Sequence, residues 1–572
     1  MAKSKAFRPD WSETPPAEGT FRAIFKYGDP AQFKHPSDQW YTMLKEAFGM
    51  TDNDFRHKSG EGREPVGLDR PCGLRAAQVD ALAAIVGRDN TTTDVYQRAR
   101  YAYGKTTEEM MELGQGVVRE IADLVLYPRH KEDVSDIVRY CHDERIPVYV
   151  FSGGSSVNLG LRPARGGVTL VMSTHMNKLL TLNELNQTAT VQPGMLGPAY
   201  EAALNQAPEQ FHAKRRYTGG HFPQSFEHST IGGWVVTLGS GQASTYYGDA
   251  ADMVVSQEYV TPTGNFKTLP YPAAATGPKV NDIMKGNEGT FGILVEVTMK
   301  VFRHMPNNRR YFSFMFPSWE AAVDASREIA QGQFGRPAVY RISDPEETDR
   351  GLKLYGIPAL ADRFLIKRGY LPMQRCLCLG TVEGDRDYTR LVKRKIRTIA
   401  KQHHAIYLGT YAGRKWEKTR YREPYMREDL HDYGITIDTL EASVTWDNLH
   451  TLHQGVRSYM KKRPRTICMT HASHFYPQGT NLYFIFIGRF DHVDDYRAFQ
   501  AGILDHIRKF GGSLSHHHGI GRMIAPWIEQ HLGKEQMAVL RALKHHFDPR
   551  NIMNPGGQLG LDLEETLQRK SR

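Results

Sequence analysis

Apolar and polar positions fall into two different rhythms along the chain, and the change from one to the other marks its parts. Up to about residue 115 the sequence is polar and rich in turn formers, interrupted by amphipathic stretches at Trp40–Phe48 and around Gln78–Val86. Their spacing predicts a helical N-terminal extension packed on the rest, with room for a partly mobile arm. From Ile121 short apolar runs take over. Asp123–Pro128, Pro147–Phe151, Val168–Met172 and Ala189–Val191 read as strands, while Lys131–His142 and Leu196–Asn205 carry helical spacing. Such alternation predicts a mixed domain over residues 116–302, either α+β or α/β. Residues 303–510 are richer in charge and aromatics and read as a second, cap-like domain. Helical stretches at Glu320–Ile329, Asp387–Gln402 and Trp446–Lys462 alternate there with strands at Arg375–Leu379, Thr436–Leu440 and Leu482–Ile487. A C-terminal segment, 511–572, closes the chain. The expected fold class is α+β.

Composition narrows this only a little. With 572 residues, 40% hydrophobic and 24% charged, the chain has the balance of a folded protein with a real core. Its formal net charge of +10 is spread along the sequence rather than gathered in a tail. That favours anionic small molecules or a lipid surface as partners and argues against nucleic acid. Five cysteines without a C-x-x-C pair exclude a disulfide scaffold, and Cys376 and Cys378 read as reduced core residues. No apolar run approaches the roughly 18 residues needed to cross a bilayer. Met1-Ala2-Lys3-Ser4-Lys5 lacks an apolar secretion segment, and Lys570-Ser571-Arg572 is not a peroxisomal tripeptide. The expectation is a cytoplasmic protein, with room for peripheral membrane contact and for a homodimer.

Several common signatures are absent. There is no G-x-G-x-x-G, no H-E-x-x-H and no G-x-S-x-G, and Gly104-Lys105-Thr106 lacks the first glycine of a phosphate-binding P-loop because Ala99 stands there. Four glycine-rich segments are present instead: Ser152–Ser156, Gly219–Ser225, Thr230–Trp234 and Gly286–Gly292. Glycine allows positive φ and lets backbone N–H groups approach a pyrophosphate. Any one of them alone reads best as a turn; four within one domain point to an anionic cofactor.

These residues resemble a family. Val150–Ser156, Gly220–Ser225, Ile231–Gly241 and Glu288–Gly292 are similar to the FAD-binding domain of the vanillyl-alcohol-oxidase-type flavoproteins, and Asp548–Gly556 to the C-terminus of that group. Gly220-His221-Phe222-Pro223-Gln224-Ser225, Gly233-Trp234 and Ser513–Gly521 resemble the alkyldihydroxyacetonephosphate synthase (alkylglycerone-phosphate synthase) family within it. The resemblance runs from about residue 90 to 556. It implies a two-part FAD-binding domain, a cap that holds substrate, and a reaction that exchanges the acyl chain of acyl-dihydroxyacetone phosphate for a long-chain fatty alcohol. FAD serves there through N5, without net electron transfer.

The resemblance also implies residue roles. Cofactor contacts would come from Val150, Phe151, Ser152, Gly153, Gly154, Ser155 and Ser156; from Gln224, Ser225, Phe226, Glu227, His228, Ser229 and Thr230; from Thr237, Leu238, Gly239 and Ser240; and from Glu288, Gly289, Thr290, Phe291, Gly292, Ile293 and Leu294. With no histidine or cysteine in Val150–Val157, the FAD is expected to be held non-covalently. Tyr483 matches the family's proton-transferring tyrosine, although by pattern alone it reads as a strand tyrosine with a surface hydroxyl. Near neutral pH it needs a cation or the flavin beside it to act as a base. Arg427 matches a substrate-binding arginine, and a guanidinium suits a phosphate or a leaving carboxylate; its bland alternative is a surface ion pair with Glu428 or Asp429. Arg341 matches another arginine needed for activity, with burial beside a carboxylate as the alternative. His516, His517 and His518 are consecutive, which suits a metal poorly; by resemblance at least one serves as a proton relay or phosphate contact. No metal is expected.

Some positions depart from the family pattern. Ser152 replaces the first glycine of a triplet, Gln224 stands where Asp is usual, Leu238-Gly239 replaces an Arg-Ala pair and Arg522 takes a lysine position. They leave open an FAD-dependent oxidase or dehydrogenase of a 2-hydroxy acid or aromatic alcohol, and less readily a silent flavin- or lipid-binding protein.

Overall fold

The computed structural model describes residues 7–564; the first residues and Lys570-Ser571-Arg572, read above for targeting signals, lie outside them. The chain divides into two compact units. Among the described residues, one joins 65–109, 117–305 and the stretch from 514 on, the other the stretch up to 64, 110–116 and 306–513. The polar N-terminal stretch is therefore shared between the two.

The first unit contains two main sheets. Strands β1 (Thr91–Thr92), β2 (Leu124–Leu126), β3 (Val148–Phe151) and β4 (Val168–Val171) are ordered β1-β2-β4-β3, with β2, β4 and β3 parallel. Parallel strands need both faces covered, and β2 and β4 are buried throughout. The helix Lys131–Glu144 supplies one cover. It starts on His130, carries Glu132 and Asp133 in its first turn and stops at Arg145 in the left-handed region. Its Val134, Ile137, Val138 and Cys141 enter one core with Leu124, Leu126, Val148, Val168 and Leu170. The second sheet is antiparallel. It contains β5 (Leu179–Asn183) and β6 (Thr188–Val191), then, after a short β7 (Tyr217–Thr218), β8 (Val254–Thr261), β9 (Gly264–Lys267) and β10 (Ile293–Lys300), in the order β5-β6-β10-β8-β9. β7 pairs instead with β11 (Phe302–Arg303). The C-terminal tail joins the first sheet: Val148 N–H donates to Ile552 O at 2.8 Å, and Asn554 N–H to Val148 O at 2.9 Å.

The second unit is built on one seven-stranded antiparallel sheet. Its strands are β12 (Arg310–Phe316), β13 (Val339–Ser343), β14 (Cys376–Val382), β15 (Ile406–Gly409), β16 (Ile435–Thr445), β17 (Ile467–Tyr476) and β18 (Gly479–Arg489), ordered β15-β12-β14-β13-β17-β18-β16. Cys376 and Cys378 are buried in β14 as free thiols. The helix Asp38–Phe48, capped by Ser37 and closed by Gly49 at φ 64°, packs Trp40, Met43, Leu44 and Phe48 against Ile435, Ile467, Met469 and Ile487. One face of β16, β17 and β18 is thus apolar at this end. Side chains alternate along a strand, so the same face continues through Thr439 and Glu441, through His471 and Ser473, and through Tyr483 and Asn481. Toward that end the face turns polar while remaining largely buried. Together the two units make the mixed α+β fold expected from the sequence.

Candidate functional site

In the first unit, β3 ends at Phe151 and the chain turns sharply through Ser152–Ser156. Gly154 takes the left-handed conformation, φ 68°, and a Cβ there would run into the Phe151 ring. A Cβ on Gly153 would collide with the His228 carbonyl, so this turn lies directly against the Gln224–Thr230 segment. Ser152 is not in the left-handed region, which is why a non-glycine residue is accommodated there. Its hydroxyl accepts from Thr230 Oγ1 at 2.8 Å. The backbone N–H groups of Gly153, Gly154, Ser155 and Ser156 donate to no protein group among the described residues. Four adjacent N–H groups free of protein acceptors form an anion-binding concavity. The G-K-T turn noticed in the sequence buttresses it, with Lys105 N–H donating to Ser156 O at 2.6 Å.

The other predicted cofactor positions lie in the same unit. Thr230 caps the short helix Ile231–Val236, Ser229 Oγ accepts from Trp234 Nε1 at 2.7 Å, and Thr237 Oγ1 donates to Gly233 O at 2.7 Å. Leu238 is exposed with φ 55°, and Ser240 bonds Asp249. His221 was passed over as an individual residue, although it lies inside one of the glycine segments. It is buried beside the Trp234 ring, 4.5 Å between centroids, and burial holds its pKa down to about 4. Neither ring nitrogen has a hydrogen-bond partner among the described residues. A Cβ on Gly239 would stand 3.7 Å from its Nε2.

The C-terminal segment is tied into this unit by one buried carboxylate. Glu288 accepts from Ile520 N–H at 2.7 Å and Gly521 N–H at 2.8 Å, and also from Gln558 Nε2. Burial outweighs these three donors and pushes its pKa up to about 7. Asn158 Nδ2 donates to His518 O at 3.1 Å, which couples the histidine loop to the turn after β3. His516 and His517 approach Nδ1 to Nδ1 at 3.0 Å, and the three rings pack edge-to-face at 5.3 and 4.7 Å. Lys544, fully buried, donates to Thr290 O, Met553 O and Asp548, holding the Glu288–Leu294 segment against the tail. Phe291 stacks on Phe547 at 5.8 Å, while Ile293 and Leu294 begin β10.

In the second unit, cross-strand register gathers Tyr483 and Arg341 on the polar end of one sheet face, while Arg427 lies on the helix Met426–Asp432. Glu441, Tyr483, His471 and Ser343 form one row across β16, β18, β17 and β13. Ser443, Asn481, Ser473 and Arg341 form the next. Tyr483 is not a surface tyrosine: its hydroxyl meets Thr439 Oγ1 at 2.9 Å and its ring stacks on His471 at 4.9 Å. Burial raises its pKa above the usual tyrosine value, with Glu441 and Asp438 adding to the rise while Thr439 and Arg341 oppose it. Tyr483 therefore carries its proton at neutral pH.

Arg341 donates to Glu347, and His471 Nδ1 lies 3.2 Å from the same carboxylate oxygen. Burial alone would raise the Glu347 pKa, but Arg341 and His471 overcome it and hold the carboxylate down at about 2. Arg427 is buried, with its guanidinium 5.6 Å over the Tyr27 ring. Its ion-pair alternative holds in part: Arg427 Nε lies within ion-pair distance of Glu428, but both are buried rather than at the surface. Glu428 is 3.7 Å away and serves Tyr27 N–H and Lys26, while Asp429 pairs with His35. Tyr27, Glu347, His471 and Asn481 went unnoticed in the sequence, because register and the fold of the N-terminal stretch bring them to this face.

The first unit fits a flavin dinucleotide, having an unpaired backbone cradle at Gly153–Ser156 and an orphaned buried imidazole at His221. Comparison with known proteins agrees. A family model described as FAD binding domain matches residues 122–269, and one described as FAD linked oxidases, C-terminal domain, matches 305–557. The chain is 32% identical to alkyldihydroxyacetonephosphate synthase of Dictyostelium discoideum over 83% of this chain and 80% of that protein. It is 27% identical to the synthase of Trypanosoma brucei brucei over 91% and 87%. A solved alkyldihydroxyacetonephosphate synthase structure superposes at TM-score 0.78 with 28% identity, covering 93% of this chain and 98% of that one. A p-cresol methylhydroxylase structure, 16% identical at TM-score 0.64 over 86% of this chain and 98% of that one, shares the fold.

Proposed function

The chain belongs to the alkyldihydroxyacetonephosphate synthase family, and from that membership we propose that it exchanges the acyl chain of acyl-dihydroxyacetone phosphate for a long-chain fatty alcohol. The products are an ether-linked ketone phosphate and a free fatty acid. The cofactor is FAD, seated on the Gly153–Ser156 cradle and held without a covalent link through that turn. Bound FAD supplies a reactive N5, used for covalent rather than redox chemistry.

The chain's own residues do the rest. Tyr483 returns a proton to the carbon beside the ketone after the histidine relay has taken one from it; its neutral phenol, hydrogen-bonded to Thr439, is a donor ready for that return. Arg341, fixed by Glu347, and Arg427, lying over Tyr27, supply charge for the phosphate and for the departing carboxylate. His516, His517 and His518 form the proton relay. The buried polar sheet face around Tyr483 carries this reading, because a face of that kind costs too much to serve as plain core.

Peripheral membrane contact belongs to the same proposal. Among the described residues no helix is long and apolar enough to cross a membrane. Arg22 and Lys26 of the N-terminal stretch are spent on the internal carboxylates Asp432 and Glu428. Along the helix Ala359–Lys367, however, Leu360, Phe364 and Ile366 are exposed beside Arg363 and Lys367, a composition suited to an anionic bilayer surface. Flotation with anionic liposomes checks it, and an absence of co-flotation counts against it.

The activity is tested by incubating the yellow protein with palmitoyl-dihydroxyacetone phosphate and labelled hexadecanol, without an electron acceptor. Label in an alkyl ketone phosphate is expected. No label, with flavin bleaching by a 2-hydroxy acid or aromatic alcohol, would place the chain among the oxidoreductases instead.

A further inference from the structure

The polar sheet face holds one side chain that none of this chemistry uses. Asn481 is 0% exposed, and neither Nδ2 nor Oδ1 has a hydrogen-bond partner among the described residues. It precedes Tyr483 by two positions on β18, so both project to the same face. Its cross-strand neighbours, Ser443 and Ser473, are already engaged: Ser443 Oγ donates to Ser513 Oγ at 2.9 Å, and Ser473 Oγ meets His474 Nδ1 at 2.9 Å. Next in the row stands Arg341, tied to Glu347. The protein thus satisfies every polar neighbour in that row and leaves the carboxamide bare. Buried amides are almost always paired, and an orphan among reactive groups marks the place of a missing partner.

We propose that Asn481 is a substrate-contacting residue that hydrogen-bonds the hydroxyketone head of dihydroxyacetone phosphate. A carboxamide offers a donor and an acceptor side by side. The head presents a carbonyl oxygen to receive the Nδ2 hydrogen in the acylated substrate and, in free dihydroxyacetone phosphate, also a hydroxyl to donate to Oδ1. The hydrocarbon tail of a fatty alcohol offers Asn481 nothing, so its contribution falls mainly on the phosphate-bearing substrate. The assignment rests on the exchange reaction proposed above.

The test compares the FAD-loaded chain with Asn481→Leu, an apolar side chain of similar size. The first readout is the change in unfolding temperature on adding dihydroxyacetone phosphate, which does not depend on turnover. The second is KM for each substrate of the exchange. Without ligand, Asn481→Leu should unfold at the same or a higher temperature, because an unpaired buried amide has been removed. It should lose the shift caused by dihydroxyacetone phosphate and raise KM for palmitoyl-dihydroxyacetone phosphate by roughly tenfold or more, with a smaller change in KM for hexadecanol. An unaltered shift would overturn the inference and leave the exchange reading standing. A shift in neither protein would overturn it too. A wild-type protein that binds dihydroxyacetone phosphate but makes no alkyl product would sink the exchange reading, while the binding comparison still decides Asn481. Should Asn481→Leu fail to retain FAD, Asn481→Ser is put through the same binding comparison.

Discussion

The two units build their sites from different materials. The flavin unit uses backbone: Gly153 and Gly154 fold the turn after β3 so tightly that no side chain fits, and adjacent N–H groups are left free of protein acceptors. The cap unit uses side chains projecting from strands β13, β16, β17 and β18, assembled by register over residues far apart in sequence. Sites of the first kind leave glycine runs that can be read directly. Those of the second kind leave single residues whose meaning depends on what lies across the sheet. Their two buried carboxylates diverge in the same way. Glu288 serves as an acceptor for N–H groups and an amide and is pushed up to about 7. Glu347 faces a guanidinium and an imidazole and is held down at about 2.

The sharpest way to separate the units is Tyr483→Phe. Removing one hydroxyl from the cap should lower kcat by about 10²–10⁴-fold. FAD content and unfolding temperature should stay as in the wild type, as absorbance and calorimetry on the same sample would show. The two carboxylates give the next largest effect, with opposite signs. Glu347 contributes stability that is complete above its unfolded value of 4.5 and lost as pH falls through about 2. Glu288 favours the fold in its protonated form, a contribution complete below 4.5 and lost as pH rises through about 7. Each amounts to about 3 kcal/mol. Urea midpoints followed across pH should therefore lose their acid limb in Glu347→Gln and their neutral limb in Glu288→Gln. Gly153→Ala reverses the outcome of Tyr483→Phe. A Cβ against the His228 carbonyl should weaken FAD binding by about 1–3 kcal/mol, roughly 5- to 150-fold in Kd, as titration of the apoprotein with FAD would read. Ser152→Gly is the mildest, at about 0.5–1 kcal/mol of stability with FAD retained, since the backbone there needs no glycine.

Legibility followed the same division. The helix Lys131–Glu144 and strands β2, β3 and β4 fall where the apolar spacing put them, because each buries one continuous apolar set. β16 runs from Ile435 to Thr445, well past the short apolar stretch read at Thr436–Leu440. Glu441 and Ser443 interrupt the pattern, yet they face the polar end of the sheet rather than solvent. Tyr483, Arg341 and Arg427 are candidates only through resemblance, since as isolated residues each reads as ordinary strand or surface. Glu347 belongs to a helix first turn and His471 to an apolar strand, and nothing local announces that they meet at Arg341. Tyr27 lies 400 residues before Arg427 in a stretch that looks like a loose arm.

The central claim is that the cap side chains, and Tyr483 first among them, move the proton that makes the exchange possible. It is met most directly by following solvent deuterium into the carbon beside the ketone of palmitoyl-dihydroxyacetone phosphate, with wild type and Tyr483→Phe matched for bound FAD. The account predicts incorporation by the wild type and none above background by Tyr483→Phe. Equal incorporation by the two would contradict it.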